Sequence, residues 1–354
     1  MIYIFTRYGR IGASSRIRTL QYFDDLKIDY LKRFTFNSLI NNEQLLFKYK
    51  YKKYQFISIL VSYLKRLILL LKIKSKDLIY IEKELYPYLP FFLEYFFLYK
   101  KNYILNYDDA VFDYYESHKN IFIRYILSKK HKSLIKNSSL TICGNLFLAN
   151  YAKNAGCKNI KILPSVINMK RYQYKKVVTN NKEPIICWIG SSATIVYLKE
   201  IEKPLQEIAK KNKFVLKIIG VNDYKINGVN IMTKKWREDT EIDELINSDI
   251  GIMPLFNNRF SQGKCSYKLI QYMGVGLPVV ASKIGENINT IKHGVNGYLA
   301  GNQNDWIKYL NFLINDPNLR EKFGSKGKEI VKDKYSLQNT KETYFSFFDN
   351  QNLK

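Results

Sequence analysis

Short apolar runs, each followed by a helical stretch, recur along the chain, and this alternation restricts its 354 residues to an α/β architecture. Residues 2–5 (Ile-Tyr-Ile-Phe) read as a buried strand. Gly9, Gly12, Ala13, Ser14 and Ser15 then form a small-residue loop, and a helix is expected from Arg16 to Leu26. Further strands are expected at 78–81, 103–106, 140–143 and 160–163. A second series begins at Pro184. It comprises a strand at 185–189, a Gly190-Ser191-Ser192 turn, a helix at 193–211, and a strand at 214–219 stopped by Gly220. A short helix at 241–247, a strand at 250–254, a helix at 264–273 and a strand at 277–281 complete it. Alternation twice over predicts two Rossmann-like domains facing across a cleft. The expected divisions are 1–175, 176–335 and a terminal helical segment, 336–354, that packs back on the first domain.

Charge separates the halves. Residues 1–180 carry 32 basic and 12 acidic side chains (+20), against 25 and 19 (+6) for the remainder, so the first half suits an anionic neighbour. From Lys48 to Lys76 there are nine basic residues and no acidic one, interleaved with aromatic and aliphatic side chains. This segment, 64–73 above all, reads as a basic amphipathic helix on an anionic membrane surface, with Lys65, Arg66, Lys72 and Lys74 facing lipid. A core helix with snorkelling lysines is the bland alternative. No nucleic-acid motif accompanies it, so nucleic acid is not an expected partner. The four cysteines form no C-x-x-C pair and the three histidines have no ligand spacing, which argues for a reducing compartment and against a structural metal. His118 and His131 read as surface histidines. The start lacks the apolar core of a signal peptide and no run is long enough to span a bilayer. The expected location is cytoplasmic, peripheral on the inner face of the cell membrane.

The most informative segment runs from Lys264 to Ala281. On a helix, Lys264, Lys268 and Gln271 share one face, and two ammonium groups with an amide suit a diphosphate and its ribose. A solvated basic face is the competing reading. Gly190, Ser191 and Ser192 sit between strand and helix, where backbone N–H groups can cradle a phosphate, although Ser192 is equally an ordinary helix cap. Trp236 reads as a packing aromatic, with the nucleotide base as its alternative neighbour.

Gln271-Tyr272-Met273-Gly274-Val275-Gly276, then Pro278-Val279-Val280-Ala281-Ser282 and His293-Gly294-Val295-Asn296-Gly297, resemble the donor-binding half of GT-B glycosyltransferases of family 4 (glycosyl transferases group 1). The resemblance covers roughly 185–335 and implies a GT-B fold, a nucleotide-diphosphate sugar donor, retention of anomeric configuration and no metal or other cofactor. Two departures stand out. Family 4 commonly carries two glutamates eight residues apart, where this chain has Gly263 and Gln271. The usual Arg and Lys of the Gly190 loop are missing, leaving Lys264 and Lys268 as the expected phosphate ligands. Glu286 lies in the loop that contacts donor in such proteins.

In the first half, Gly12, Ala13, Ser14 and Arg16 resemble the glycine-rich loop that such transferases place over donor phosphates and acceptor, with Arg18 a further phosphate candidate. Asp108 and Asp109 follow a strand and are expected to carry the chemistry, Asp108 ahead of Asp109; Glu82 and Glu84 are second candidates. The resulting expectation is a glycosyltransferase acting on a lipid-linked or surface polysaccharide acceptor. A non-catalytic membrane adaptor that keeps the fold, and a sugar-nucleotide epimerase, are the alternatives.

Overall fold

A computed structural model describes residues 1–172 and 183–349. It forms two compact units. The first holds Met1–Ser165, Gly263–Cys265 and the described residues from Thr340 on; the second holds the described residues of Val166–Gln262 together with Ser266–Asn339.

The first unit is built on six parallel strands: β1 (Ile2–Tyr8), β2 (Phe34–Ile40), β3 (Leu78–Glu82), β4 (Asn102–Tyr107), β5 (Leu140–Cys143) and β6 (Ile160–Ile162). They lie in the order β2-β1-β3-β4-β5-β6. Central β3 (Leu-Ile-Tyr-Ile-Glu) is buried throughout, as a strand covered on both faces must be. Strand β2 is not among the expected strands, because Asn37 and Ser38 interrupt its apolar run; Ser38 pairs with Thr6 at 2.8 Å, and Asn37 accepts from Arg66 at 2.7 Å. Helix α1 (Ala13–Arg18) links β1 to β2. It is followed by a short 3₁₀ turn, Leu20–Phe23, in place of the expected continuous helix. The chain then moves across the sheet in the opposite sense, through α2 (Phe56–Leu71), α3 (Phe91–Leu98), α4 (Ile121–Leu127) and α5 (Lys130–Lys136). Right-handed crossovers put these helices on the sheet face opposite α1.

A buried ionic cluster joins that helical layer to the sheet. Lys130 Nζ lies 2.7 Å from Glu84 Oε2 and 2.8 Å from Glu94 Oε1, and donates to Tyr86 O at 2.6 Å. Such charges are tolerable in the interior only because each has a partner. His131, expected at the surface, is buried beside this cluster, with Nδ1 2.8 Å from the Tyr107 hydroxyl. Its helix presents position 131 to the sheet, which a single isolated histidine cannot reveal from sequence. His118 is part-exposed and accepts from the Asn120 N–H.

The second unit repeats the plan with β7 (Ile185–Ile189), β8 (Val215–Ile219), β9 (Ile231–Lys234), β10 (Ile250–Met253), β11 (Val279–Ser282) and β12 (Gly297–Ala300), in the order β12-β11-β10-β7-β8-β9, all parallel. Along β7 the side chains alternate between two cores. Ile186 and Trp188 join Leu205, Trp306 and Leu310, while Cys187 and Ile189 join Leu269, Met273 and Val279. The helix expected at 193–211 is a 3₁₀ segment, Ile195–Ile201, followed by an α-helix, Glu202–Ala209. Helix α6 (Tyr267–Gly274) starts three residues later than expected, because Ser266 takes a left-handed φ of 51° that breaks helical continuity.

From Thr340 on, the last helix, α7 (Leu337–Asp349), packs within the first unit. Tyr344 stacks on Tyr22 at 3.9 Å and Phe348 meets Phe34 and Tyr80 edge-on or tilted. Phe348 is fully buried, so Phe348→Ala should destabilise the first unit by about 3–5 kcal/mol, read as a lower urea midpoint. An unchanged midpoint would contradict this packing.

Burial pushes His131 down from its ordinary 6.5 to about 4, outweighing the pull of Glu84. The unfolded chain therefore takes up a proton as pH falls through 6.5, while the folded unit resists until about 4. Stability of the first unit should drop by up to about 3 kcal/mol across that window. His131→Gln should flatten the profile there, and an equally steep profile in the variant would exclude His131 as the cause.

Candidate functional site

In both units the candidate residues gather where parallel strands end. At the end of β1, Gly12 precedes α1 so closely that a Cβ would sit 2.3 Å from Tyr8 Cβ, which only glycine tolerates. Ala13 is exposed, and Ser14 turns toward the ends of β3 and β4. Ser14 Oγ lies 2.7 Å from Glu82 Oε1 and 2.6 Å from Asp108 Oδ2, and accepts from Lys83 Nζ at 2.9 Å. Lys83 Nζ is also 2.8 Å from Asp108 Oδ1. Ser15 Oγ donates to Glu82 Oε2 at 2.6 Å, and the Arg7 N–H reaches the same oxygen at 3.1 Å.

Electrostatics follow from this packing. Burial pushes the Asp108 carboxyl up, but the Lys83 ammonium and the hydrogen bonds from Lys83 and Ser14 outweigh it and hold Asp108 below the usual carboxylate range. Burial presses Lys83 down, yet Asp108, Asp109 and Glu82 raise it overall, so it stays charged. Lys83 also adopts a left-handed φ of 68°, a strained conformation for a lysine. Sequence reasoning named both its neighbours, Glu82 and Glu84, and passed over it. Glu84 turns to the buried cluster instead, where Lys130 offsets the cost of burial and draws its carboxyl down to about 2.

Asp109 is 29% exposed and pairs with Lys264 Nζ at 3.5 Å. Lys264 is therefore not on a helical face with Lys268 and Gln271, as its spacing suggested. The Gly263–Cys265 segment belongs to the first unit, where Asn145 Nδ2 donates to the carbonyls of Gly263 and Lys264, both at 3.1 Å. Arg18 is not available to a phosphate: its guanidinium is buried and donates to Asn106 Oδ1 and to Leu163 O. Arg16 is buried as well, with a long 3.4 Å contact to Arg10 O.

In the second unit, Gly190 ends β7 and Gly220 ends the adjacent β8. A Cβ on Gly190 would strike the Trp188 ring at 2.4 Å, and one on Gly220 would lie 2.1 Å from Gly190 O. The two strand ends thus approach over the edge of a buried indole. Lys268, in the first turn of α6, sets its ammonium 4.2 Å from the Trp188 ring centroid, a cation–π contact. Thr194 Oγ1 accepts from the Ser191 N–H at 3.2 Å, and Ser192 is exposed. Gln271 is buried, its amide donating toward the Tyr172 hydroxyl at 3.4 Å. Ser266 Oγ donates to Asn287 Oδ1, whose amide in turn donates to Ser282 O, tying the start of α6 to the 282–287 loop. In that loop burial raises the Glu286 carboxyl, against a weaker opposing bond from Asn289. Trp236 packs against the core and donates to Glu241 at 2.8 Å. Among the described residues, no three His, Cys, Asp or Glu side chains group as a metal site.

Residues 169–330 match the family model described as Glycosyl transferases group 1. A curated relative, glycosyltransferase 1 domain-containing protein 1 from Xenopus tropicalis, is 24% identical over 47% of this chain; the match spans only 41% of that protein's length. Two solved structures share the whole fold. Anabaena HepE, solved with UDP and glucose, superposes with a TM-score of 0.68 at 14% identity, covering 98% of this chain and 99% of HepE. Sucrose-phosphate synthase from Thermosynechococcus elongatus gives 0.65 at 11% identity, covering 99% and 98%. Residues 169–330 are accordingly a group 1 glycosyltransferase domain, in a chain with the GT-B fold of glycosyltransferases.

Proposed function

We propose that this chain transfers a sugar, with retention, from a nucleotide-diphosphate donor to a lipid-linked or surface polysaccharide acceptor at the inner face of an anionic membrane. The observation that carries the donor half is the Lys268 ammonium held over the Trp188 face beside Gly190. An indole face fixes a cation in position without neutralising its charge, so the ammonium keeps its attraction for phosphate oxygens. Complexes of HepE with UDP and with UDP-glucose make a UDP-sugar the first donor to test. The sequence favoured Lys264 equally, but its ion pair with Asp109 supports a role on the acceptor side.

For the chemistry, the geometry supports Asp109 over Asp108. Asp108 is enclosed by Lys83 and Ser14 and keeps its charge there, whereas Asp109 is the more exposed carboxylate. Asp109 would orient the acceptor hydroxyl and balance positive charge developing on the sugar ring, while Asp108 and Lys83 hold the loop that carries it.

Calorimetry with UDP and with uridine tests the donor assignment. Lys268→Ala should weaken UDP binding by about 1.5–3 kcal/mol and leave uridine nearly unchanged; Trp188→Leu should act in the same direction, more weakly. Equal UDP affinity in Lys268→Ala would remove the lysine from the donor site. In turnover assays with a UDP-sugar panel, Asp109→Asn should lower kcat and spare UDP affinity, the mark of an interaction made in the transition state. Unaltered kcat would return the role to Asp108. UDP binding with no turnover of any donor would favour the adaptor reading.

A further inference from the structure

We infer that the first unit seats on an anionic bilayer by burying the outward apolar faces of α2, α3 and α4 in the lipid interface, with apolar insertion rather than basic charge as the main attachment. This deepens the membrane-bound reading above and rests on it.

Helix α2 is apolar on its outward side and mixed within. Leu70 is fully buried and Ile59 and Tyr63 pack on Leu39, Ile40 and Leu45, but its polar residues also turn inward: Gln44 Nε2 donates to Ser58 Oγ at 2.6 Å and Ser62 Oγ at 2.9 Å. Arg66, also inward, is 0% exposed and donates to the carbonyls of Leu85 and Thr6, both at 2.7 Å. The outward side presents Phe56, Ile57, Leu60, Leu64, Ile68 and Leu71, all exposed. Helices covered only by water show the reverse arrangement. Arg66 is thus a structural residue, contrary to its expected place among the lipid-facing charges.

The same pattern continues on α3 and α4. Phe96 is 75% exposed and Tyr125 86%, with Phe92 and Phe122 beside them in sequence on the same helices. All three helices cover one face of the sheet, since each belongs to a crossover running in the same direction. Exposed apolar surface this extensive marks an interaction surface.

Charge identifies the occupant as lipid. Of the nine basic residues from Lys48 to Lys76, only Arg66 is buried; exposed Lys119 and Lys129 flank α4, and exposed Arg124 lies on it. The acidic residue of α3, Glu94, is buried on Lys130. An apolar surface with a basic rim complements anionic headgroups over acyl chains. A second copy of the chain would set the same basic rim against itself. Among the described residues no helix is long and apolar enough to cross a membrane, and α2 suits an in-plane position.

Flotation of the full chain on phosphatidylcholine vesicles containing about one-third phosphatidylglycerol tests this. Wild type should float and remain bound in about 1 M NaCl, where surface charge is screened within about 3 Å. The combined variant Leu64→Ser, Phe96→Ser, Phe122→Ser should lose partitioning by about a hundredfold. Lys65→Gln, Lys72→Gln, Lys74→Gln should weaken binding at low salt but partition like wild type in about 1 M NaCl, where the serine variant stays released. UDP affinity, measured alongside, should be the same in every variant; its absence with flotation intact would count against the donor reading alone. Failure of wild type to float, full release by salt, or a dimer in sedimentation that only the serine variant dissociates would overturn the inference.

Discussion

Every strand pairing in both sheets is parallel, and that one constraint organises the molecule. A parallel sheet needs helices on its faces, and it brings all its strand ends with their loops to one edge. In the first unit that edge collects Ser14, Glu82, Lys83 and Asp108; in the second it brings Gly190 and Gly220 together over Trp188. The chemistry-bearing residues come from distant parts of the sequence because each strand contributes only its last residue or two.

The cost of this convergence is charge at low dielectric. Glu82, Glu84, Glu94 and Asp108 are buried or nearly so, and each meets hydroxyls, backbone N–H groups or a lysine. Removing Lys83 or Lys130 would leave carboxylates unpaired, which is costlier than never burying them. Lys83 accepts a strained backbone to sit where it does. Lys83 follows β3 and pairs with Asp108 after β4, one position from the Asp109 that meets Lys264, so a buried ion pair ties the two strand-end loops together.

Much of this was legible from sequence. Residues 140–143 and 185–189 are strands with the expected bounds, because both are short apolar runs with clear stops. The motif from Gln271 to Ser282 resembled a group 1 glycosyltransferase, and residues 169–330 match that family's model. What sequence could not supply was direction. Spacing put Lys264 with Lys268, but the left-handed Ser266 separates them. Charge counting put Arg66 on lipid, yet α2 turns it inward with Ser58 and Ser62, an orientation fixed by Gln44, Thr6 and Leu85 from other elements. Strand β2 escaped notice because its polar residues are satisfied by partners far along the chain.

We propose that the second unit holds a nucleotide diphosphate between the Gly190 loop and Lys268, and a crystal structure of the chain with UDP would reveal it. Diphosphate oxygens are expected about 3 Å from Lys268 Nζ, against the Gly190–Ser192 backbone. A diphosphate bound away from both, or no bound UDP in crystals soaked to saturation, would contradict it.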